Sequence, residues 1–251
     1  RAPAASASLL EAAIERGGLH PFFHAKVAMS TRKIVGVEAL ARIATPQMGF
    51  ASPAAYVELA ERNQRIDALT YAMTRAVAKH VVAFDGLPCS INISPMSLER
   101  VEFADLMEAA IRESGLDCKQ FTLEVTESRA IEFGVHAFET MTALRGKGFG
   151  LAIDDFGAGT SNIDRLRNFP FNEVKIDPAF TRLAMDEAFA KAALVSCVRL
   201  AREHGLKVVA EGIETQDMWN FMTWLKVDEA QGFLLSKPMQ PVDFRELLKR
   251  G

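Results

Sequence analysis

The stretch VHAFETMTALRGKG followed by FGLAIDD, residues 135–155, carries the fold in miniature. Up to Gly148 its apolar residues recur at three-to-four spacing, as on one face of a helix. Gly148 then supplies a stop, because glycine readily takes the left-handed conformation that ends helices. Next comes FGLAID (149–154), a short apolar run of strand length that ends on the carboxylates Asp154 and Asp155. A helix, a glycine, and a buried strand with acid at its far end make one unit of a parallel α/β fold.

The same unit recurs in both directions. Strands are expected at 21–29, 33–41, 88–93, 120–125, 149–154, 172–176, 206–211 and 227–233, and helices at 53–63, 103–115, 135–148, 189–205 and 215–226. Gly115 and Gly205 stand, like Gly148, between a helix and the next strand. Strand and helix thus alternate at a repeat of roughly 30 residues, which implies parallel strands joined by crossover helices. A closed barrel and an open doubly wound sheet both fit. Only Ser30-Thr31-Arg32 separates the first two strands, too short for a crossover, so an antiparallel hairpin is expected there.

The polar residues at the strand ends are the informative ones. Glu38 follows IVGV, Asn92 interrupts SINIS, Glu124 follows FTL, Asp154 and Asp155 follow LAI, Lys175 lies in EVKID, and Glu211 follows VVA. The carboxyl ends of parallel strands carry the site in such folds, and in a barrel they meet at one mouth. The five carboxylates total −5 if ionised, and Lys175 brings the sum to −4. Two like charges 4 Å apart repel by about 4 kcal/mol at the effective dielectric near a protein surface. Either protons or cations must relieve that. Two divalent ions would match the deficit, and hard oxygen ligands with one amide suit Mg²⁺ or Mn²⁺ over zinc or copper. Paired ions of this kind serve in-line attack at phosphorus, so the constellation reads as metal-assisted phosphoester hydrolysis.

Singly, each residue has a plainer reading. A strand-end acid can be a helix cap or a surface ion pair, and Asp154-Asp155-Phe156-Gly157 can be a tight turn. That tetrad lacks the other elements of a kinase. Lys175 could be a Schiff-base lysine, but carboxylates around it would raise its pKa when that chemistry needs it lowered. His24 reads as a core or rim histidine, and Met218, Trp219, Met222 and Trp224 as packing. The weight lies in seven polar residues at corresponding places on separate strands.

The whole chain sets outer limits. Its 251 residues, 49% hydrophobic and 24% charged, suffice for one large core. A net charge of −3 gives no support for a nucleic-acid polymer as partner. Cys89, Cys118 and Cys197 form no metal or disulfide spacing, in keeping with a reducing, cytoplasmic compartment. No apolar run approaches a membrane span, so no membrane contact is expected. Residues 1–15 read as a linker or N-terminal extension and 16–251 as the domain proper.

With these motifs assembled, the chain resembles the EAL family of cyclic di-GMP phosphodiesterases. The likeness rests on Glu38-Ala39-Leu40 within IVGVEALAR, then SINIS (90–94), LEVTES (123–128), IDDFGAGTSN (153–162), VKID (174–177), VVAEGIET (208–215), AQGF (230–233) and Lys237-Pro238-Met239. It implies a modified TIM (β/α)8-type barrel with an antiparallel strand near the N-terminus. It also implies hydrolysis of cyclic di-GMP to linear pGpG with two Mg²⁺ or Mn²⁺ ions. Glu38, Asn92, Glu124 and Asp154 would hold one metal, and Asp154 or Asp155 would reach the second. Lys175 would hold the attacking water, and Glu211 would act as base or ligand. Arg42, Leu40, Gln231, His24 and Pro238 would contact substrate. Glu127, Glu214 and Asp177 would steady the ligands and the loop after Asp155 from behind. The resemblance further implies a homodimer and fusion to an upstream sensor or receiver domain.

The chain departs from the family pattern in places. His24-Ala25 stands where Gln-Pro is common, Ile43 where Trp is frequent, Asn172 where Asp is usual, and Ala158 and Thr160 replace Thr and Tyr. These departures keep open a second reading, a receptor that holds cyclic di-GMP without cutting it. No cyclase motif of the G-G-D-E-F type occurs.

Overall fold

The expected hairpin forms from β1 (Leu19–Ala28) and β2 (Ile34–Thr45), antiparallel in register with His24 opposite Glu38 and Lys26 opposite Gly36. It turns through Arg32, whose φ is 57°. In this computed structural model, which describes residues 7–45, 49–51, 54–127, 133–157 and 167–250, the hairpin also closes a barrel. Beyond it come β3 (Gly49–Ala51), β4 (Cys89–Asn92), β5 (Phe121–Thr126), β6 (Gly150–Phe156), β7 (Glu173–Ile176), β8 (Lys207–Ala210) and β9 (Glu229–Ala230). The ring runs β1-β9-β8-β7-β6-β5-β4-β2 and returns to β1, with β3 appended outside on β2. β1 is antiparallel to both its neighbours, and the other ring pairings are parallel. The barrel, not the open sheet, is therefore the answer to the alternative the rhythm left standing.

Successive strand side chains point to opposite faces, and this barrel uses the two faces differently. Outward, Ile91, Leu123, Val125, Leu151, Ile153, Val174 and Val208 are fully buried against the helices. Met107, Ile111, Met141, Leu144, Leu194 and Val198 meet them from the helical layer in the same apolar cluster. Each such side chain contributes about 1.5–3 kcal/mol. Inward, several strands present charge.

The expected helices appear at Ala54–Arg62, Phe103–Arg112, Ala137–Gly146, Ala188–Glu203 and Gln216–Trp224. Gly115, Gly148 and Gly205 follow three of them with positive φ, as helix stops require. Others escaped the pattern reading. Ile66–Val81 hides its buried face among polar letters: Thr70 and Thr74 return their hydroxyls to the carbonyls of Ile66 and Thr70. Pro178–Asp186 opens on a proline, which suits a first helical turn, with Asp177 capping it by accepting from the Phe180 N–H. Within the N-terminal stretch, Ala7–Arg16 is helical and buries Leu10 and Ala13. The strand expected at 227–233 is reduced to Glu229–Ala230. Past Ala230 the chain bonds to the loop after β8 instead, with Ile213 N–H donating to Gln231 and Leu234 N–H to Ile213. A Cβ at Gly232 would meet the Ile213 backbone at 2.2 Å, so the contact needs glycine. Trp224, expected to pack, is 67% exposed and stacks on Phe221. Among the described residues no helix is long and apolar enough to cross a membrane.

Candidate active site

At the carboxyl end of the barrel the strand-end residues converge on one ammonium group. Lys175 Nζ lies 2.7 Å from Glu124 Oε2, 2.8 Å from Glu211 Oε1, 3.1 Å from Asp154 Oδ1 and 3.7 Å from Glu38 Oε2. Its residue is fully buried, and so is Glu124. A buried lysine is tolerable only when its partners replace water, and here four carboxylates from four strands do so. Around this centre Asn92 donates to Glu38 Oε1 at 2.9 Å and Gln231 donates to Glu38 Oε2 at 2.7 Å. Gln231 also meets His24 Nδ1 at 2.6 Å, while His24 Nε2 lies 3.0 Å from the Ser236 carbonyl. A carbonyl only accepts, so Nε2 carries the proton and Nδ1 accepts from Gln231. Burial pulls the ring below its ordinary pKa against the opposing pull of Glu38, which favours that neutral form.

The carboxylates divide by their surroundings. For Glu124, burial alone would favour the proton, but the ammonium groups of Lys175 and Lys26 hold its pKa down to about 2. For Asp154, burial prevails: Lys175 opposes it, but Glu124, Glu38 and Asp155 add to it, and the pKa rises to about 7. Burial likewise lifts Glu211 well above the carboxylate range, against Lys175. Burial also lifts Asp155, with Asp177 adding to the effect. For Lys175 burial works toward the neutral amine, yet the surrounding acids, Asp154 foremost, carry it well above its ordinary value. One lysine is thus insufficient: part of the acid cluster keeps protons near neutrality.

Local backbone explains how two neighbouring aspartates face one space. Asp155 has φ 56°, a left-handed conformation that aspartate adopts more readily than most residues. Its N–H donates to Asp154 Oδ1 at 3.0 Å, and the β6–β7 register slips between Ile153 and Phe156. As a result Asp154, Asp155 and Glu211 bring one carboxylate oxygen each to within 4.8 Å of one another. Donors that are all oxygen, and that burial disfavours as bare carboxylates, fit a hard divalent cation. A cleft of about 300 Å³ opens over Asp154, Glu211 and Glu38, with His24, Gln231 and Phe233 on its wall.

The remaining predicted residues fall in three places. Leu40 and Arg42 line a neighbouring cavity of about 420 Å³ that Asn92 shares, and the Arg42 guanidinium lies over the Phe22 ring. Pro238 sits half-buried beside Met239, whose backbone pairs with Phe23 on β1. Behind the acids, Glu127 accepts from the Gly157 N–H at 3.1 Å. Asp177 caps the following helix, and Glu214 is exposed, 3.5 Å from Arg182. Ala158 and Thr160 lie outside the described residues.

Reading strand ends alone missed the layer beneath. Lys26 Nζ donates to Ser90 Oγ at 2.6 Å, Glu124 Oε1 at 2.8 Å and Glu173 Oε1 at 2.9 Å. Glu173 in turn pairs with Lys207, which pairs with Glu229. The signal was available, because Ser90 precedes Asn92 by two and Glu173 precedes Lys175 by two, so each shares its partner's face.

The chain resembles known proteins across nearly its full length. It is 32% identical over 247 residues to the cyclic di-GMP phosphodiesterase PA2567 of Pseudomonas aeruginosa, covering 97% of this chain and 42% of that protein. To the cyclic di-GMP phosphodiesterase RocR of the same species it is 30% identical over 235 residues, covering 92% of this chain and 60% of that one. It thus spans about two fifths and three fifths of these relatives. Among solved structures, the PaMucR phosphodiesterase in complex with c-di-GMP superposes with a TM-score of 0.85 at 31% identity, covering 94% of this chain and 97% of that one. Residues 7–238 match the EAL domain, and with this barrel and this ring of acids the chain belongs to the EAL domain family.

Proposed function

We propose that this domain hydrolyses cyclic di-GMP to linear pGpG with two divalent ions, Mg²⁺ or Mn²⁺. The carrying observation is the Lys175 ammonium ringed by Glu38, Glu124, Asp154 and Glu211, a cluster whose negative charge the protein itself leaves unbalanced. The names and bound nucleotide of the relatives favour this substrate over other phosphodiesters. Glu38, Asn92, Glu124 and Asp154 would hold one ion, and Asp154 or Asp155, with Glu211, the other. Asn92 spends its N–H on Glu38, which keeps its carbonyl oxygen for a cation. When bound, such ions acidify a water and neutralise charge on the attacking and leaving oxygens.

The chain's own groups do the rest. Lys175 stays cationic, so it serves as a donor that fixes the oxygen of the attacking water, never as a base. Glu211 Oε1 lies 2.8 Å from Lys175 Nζ, so once ionised it is placed to take the proton of a water held there. The P–O bond to the water forms as the opposite P–O ester bond breaks, and the released hydroxyl gains a proton from solvent. Arg42 offers a bidentate fork to a phosphate, and Leu40, His24, Gln231 and Pro238 border the nucleotide. Fusion to an upstream sensor, a cytoplasmic setting and a homodimer complete the proposal.

The test is incubation of the domain with cyclic di-GMP and Mg²⁺ or Mn²⁺, with and without chelator, followed by nucleotide chromatography. Metal-dependent pGpG is the expected product. Intact nucleotide that nevertheless binds would overturn the enzyme reading in favour of a receptor.

A further inference from the structure

Lys26 spends all its donors inside the protein. An ammonium group has three N–H bonds, and Lys26 directs them to Ser90 Oγ on β4, Glu124 Oε1 on β5 and Glu173 Oε1 on β7, at 2.6, 2.8 and 2.9 Å. The residue is 2% exposed. No donor is left for water or nucleotide, so contact with the reacting atoms is closed to it. Its depth follows from the chain direction. β1 runs against its neighbours, so Lys26, two residues after His24, lies one layer deeper in the barrel, opposite Gly36, while His24 sits at the mouth opposite Glu38.

Glu124 is consequently held between two lysines. Oε1 faces Lys26 and Oε2 faces Lys175, at 2.8 and 2.7 Å. A carboxylate free to turn could chelate one ion with both oxygens, or give both to Lys175. With Oε1 fixed from below, only Oε2 can exchange partners. We propose that Lys26 is a positioning residue of the hydrolytic site. It pins Glu124 through Oε1 and reserves Oε2 for exchange between the Lys175 ammonium and a divalent cation. This rests on the metal-dependent reading above. Ser90 and Glu173 hold Lys26 in place, and removing its charge would leave Glu173 with Lys207 alone.

The test compares Lys26→Met/Glu173→Gln with Glu173→Gln as reference, a pair that avoids stranding the Glu173 charge. Three readouts are taken: thermal melting, Mn²⁺ binding by electron paramagnetic resonance, and kcat and KM at saturating Mn²⁺. Expected are a lower melting temperature of the metal-free double variant, because buried Glu124 loses one of its two lysines, Mn²⁺ binding at least as tight because a neighbouring cation is gone, unchanged KM, and kcat lower by about 10- to 100-fold, the usual loss when a ligand's supporting partner is removed. Unchanged kcat overturns the proposal. A joint fall in melting temperature, Mn²⁺ affinity and kcat also overturns it, in favour of a purely structural role. Should the double variant not fold, Ser90→Ala decides: it loosens Lys26 by one hydrogen bond and should lower kcat about threefold at constant KM, and an unchanged kcat again overturns the idea. If wild-type protein binds no Mn²⁺ and cuts nothing, the functional reading fails instead.

Discussion

Two charged layers lie inside the same barrel, one above the other, and they are built on opposite principles. The lower one, Lys26, Glu173, Lys207 and Glu229, sums to zero and runs as an alternating chain of ion pairs. The upper one sets Glu38, Glu124, Asp154, Asp155 and Glu211 against Lys175, and sums to −4 when ionised. The interior of a barrel of this kind is ordinarily filled by branched apolar side chains, so both layers are departures. Only the upper departure lacks an internal remedy. A balanced buried network can serve as structure, whereas an unbalanced one has to be completed by protons or cations from outside. Glu124 belongs to both layers and meets both lysines, which is why its pKa falls to about 2, while Asp154 has Lys175 alone at 3.1 Å and burial carries it to about 7.

The contrast can be broken most severely at the top. Asp154→Asn should lower turnover by at least about 10²–10³-fold, the scale for losing one preorganised electrostatic contact. The same change should raise the melting temperature of metal-free protein at pH 8, since it removes a carboxylate that burial disfavours. Calorimetry alongside the turnover assay checks both, and a loss of both activity and stability would contradict the account. Lys175→Met should destabilise the metal-free protein by about 3–5 kcal/mol, the range for breaking a buried ion pair from one side. Denaturant titration measures this, and added Mg²⁺ should recover part of the loss.

Acidity sharpens the comparison further. The Asp154 carboxyl is raised, so it is protonated below about pH 7 and must release its proton to bind a cation. Metal affinity should therefore fall by at least about tenfold for each pH unit below 7, more where Glu211, also raised, gives up a proton to a cation, with proton release visible by calorimetry in buffers of different ionisation enthalpy. Glu124, held down to about 2, stays ionised over that span and adds nothing to the slope. A flat affinity between pH 5 and 7 would place the ions elsewhere. The smallest effect belongs to the lower rim. Lys207 is 38% exposed but its partners Glu173 and Glu229 are 3% and 12% exposed, and Glu173 keeps Lys26, so Lys207→Met should cost about 1–3 kcal/mol in stability and leave turnover unaltered.

The upper layer was legible in the sequence because each of its residues ends an apolar run, where a charge has no business unless it is used. The lower layer left only the two-residue spacing of Ser90 and Glu173 as a signal and was missed, for two reasons of geometry. Glu173 opens its strand and Ser90 is the second residue of another, where polar letters read as the edge of the preceding loop. Lys26 sits mid-strand, and its depth depends on β1 running backwards, which fixes its partners only once the barrel has closed. Closure itself lay beyond the rhythm of strands and helices, which an open sheet would share. Helix Ile66–Val81 was concealed by threonines that satisfy their hydroxyls on the backbone, and β9 was overestimated because a run of strand length does not reveal where a glycine must touch a neighbouring loop.

The central claim is that external cations complete the upper layer. Its most direct test is a Mn²⁺ titration of the metal-free domain at pH 8, counting bound ions per chain by electron paramagnetic resonance. The account predicts two ions bound per chain in the wild type and weakened binding in Asp154→Asn. Absence of bound Mn²⁺, or two ions bound equally well with Asp154 replaced, would contradict it.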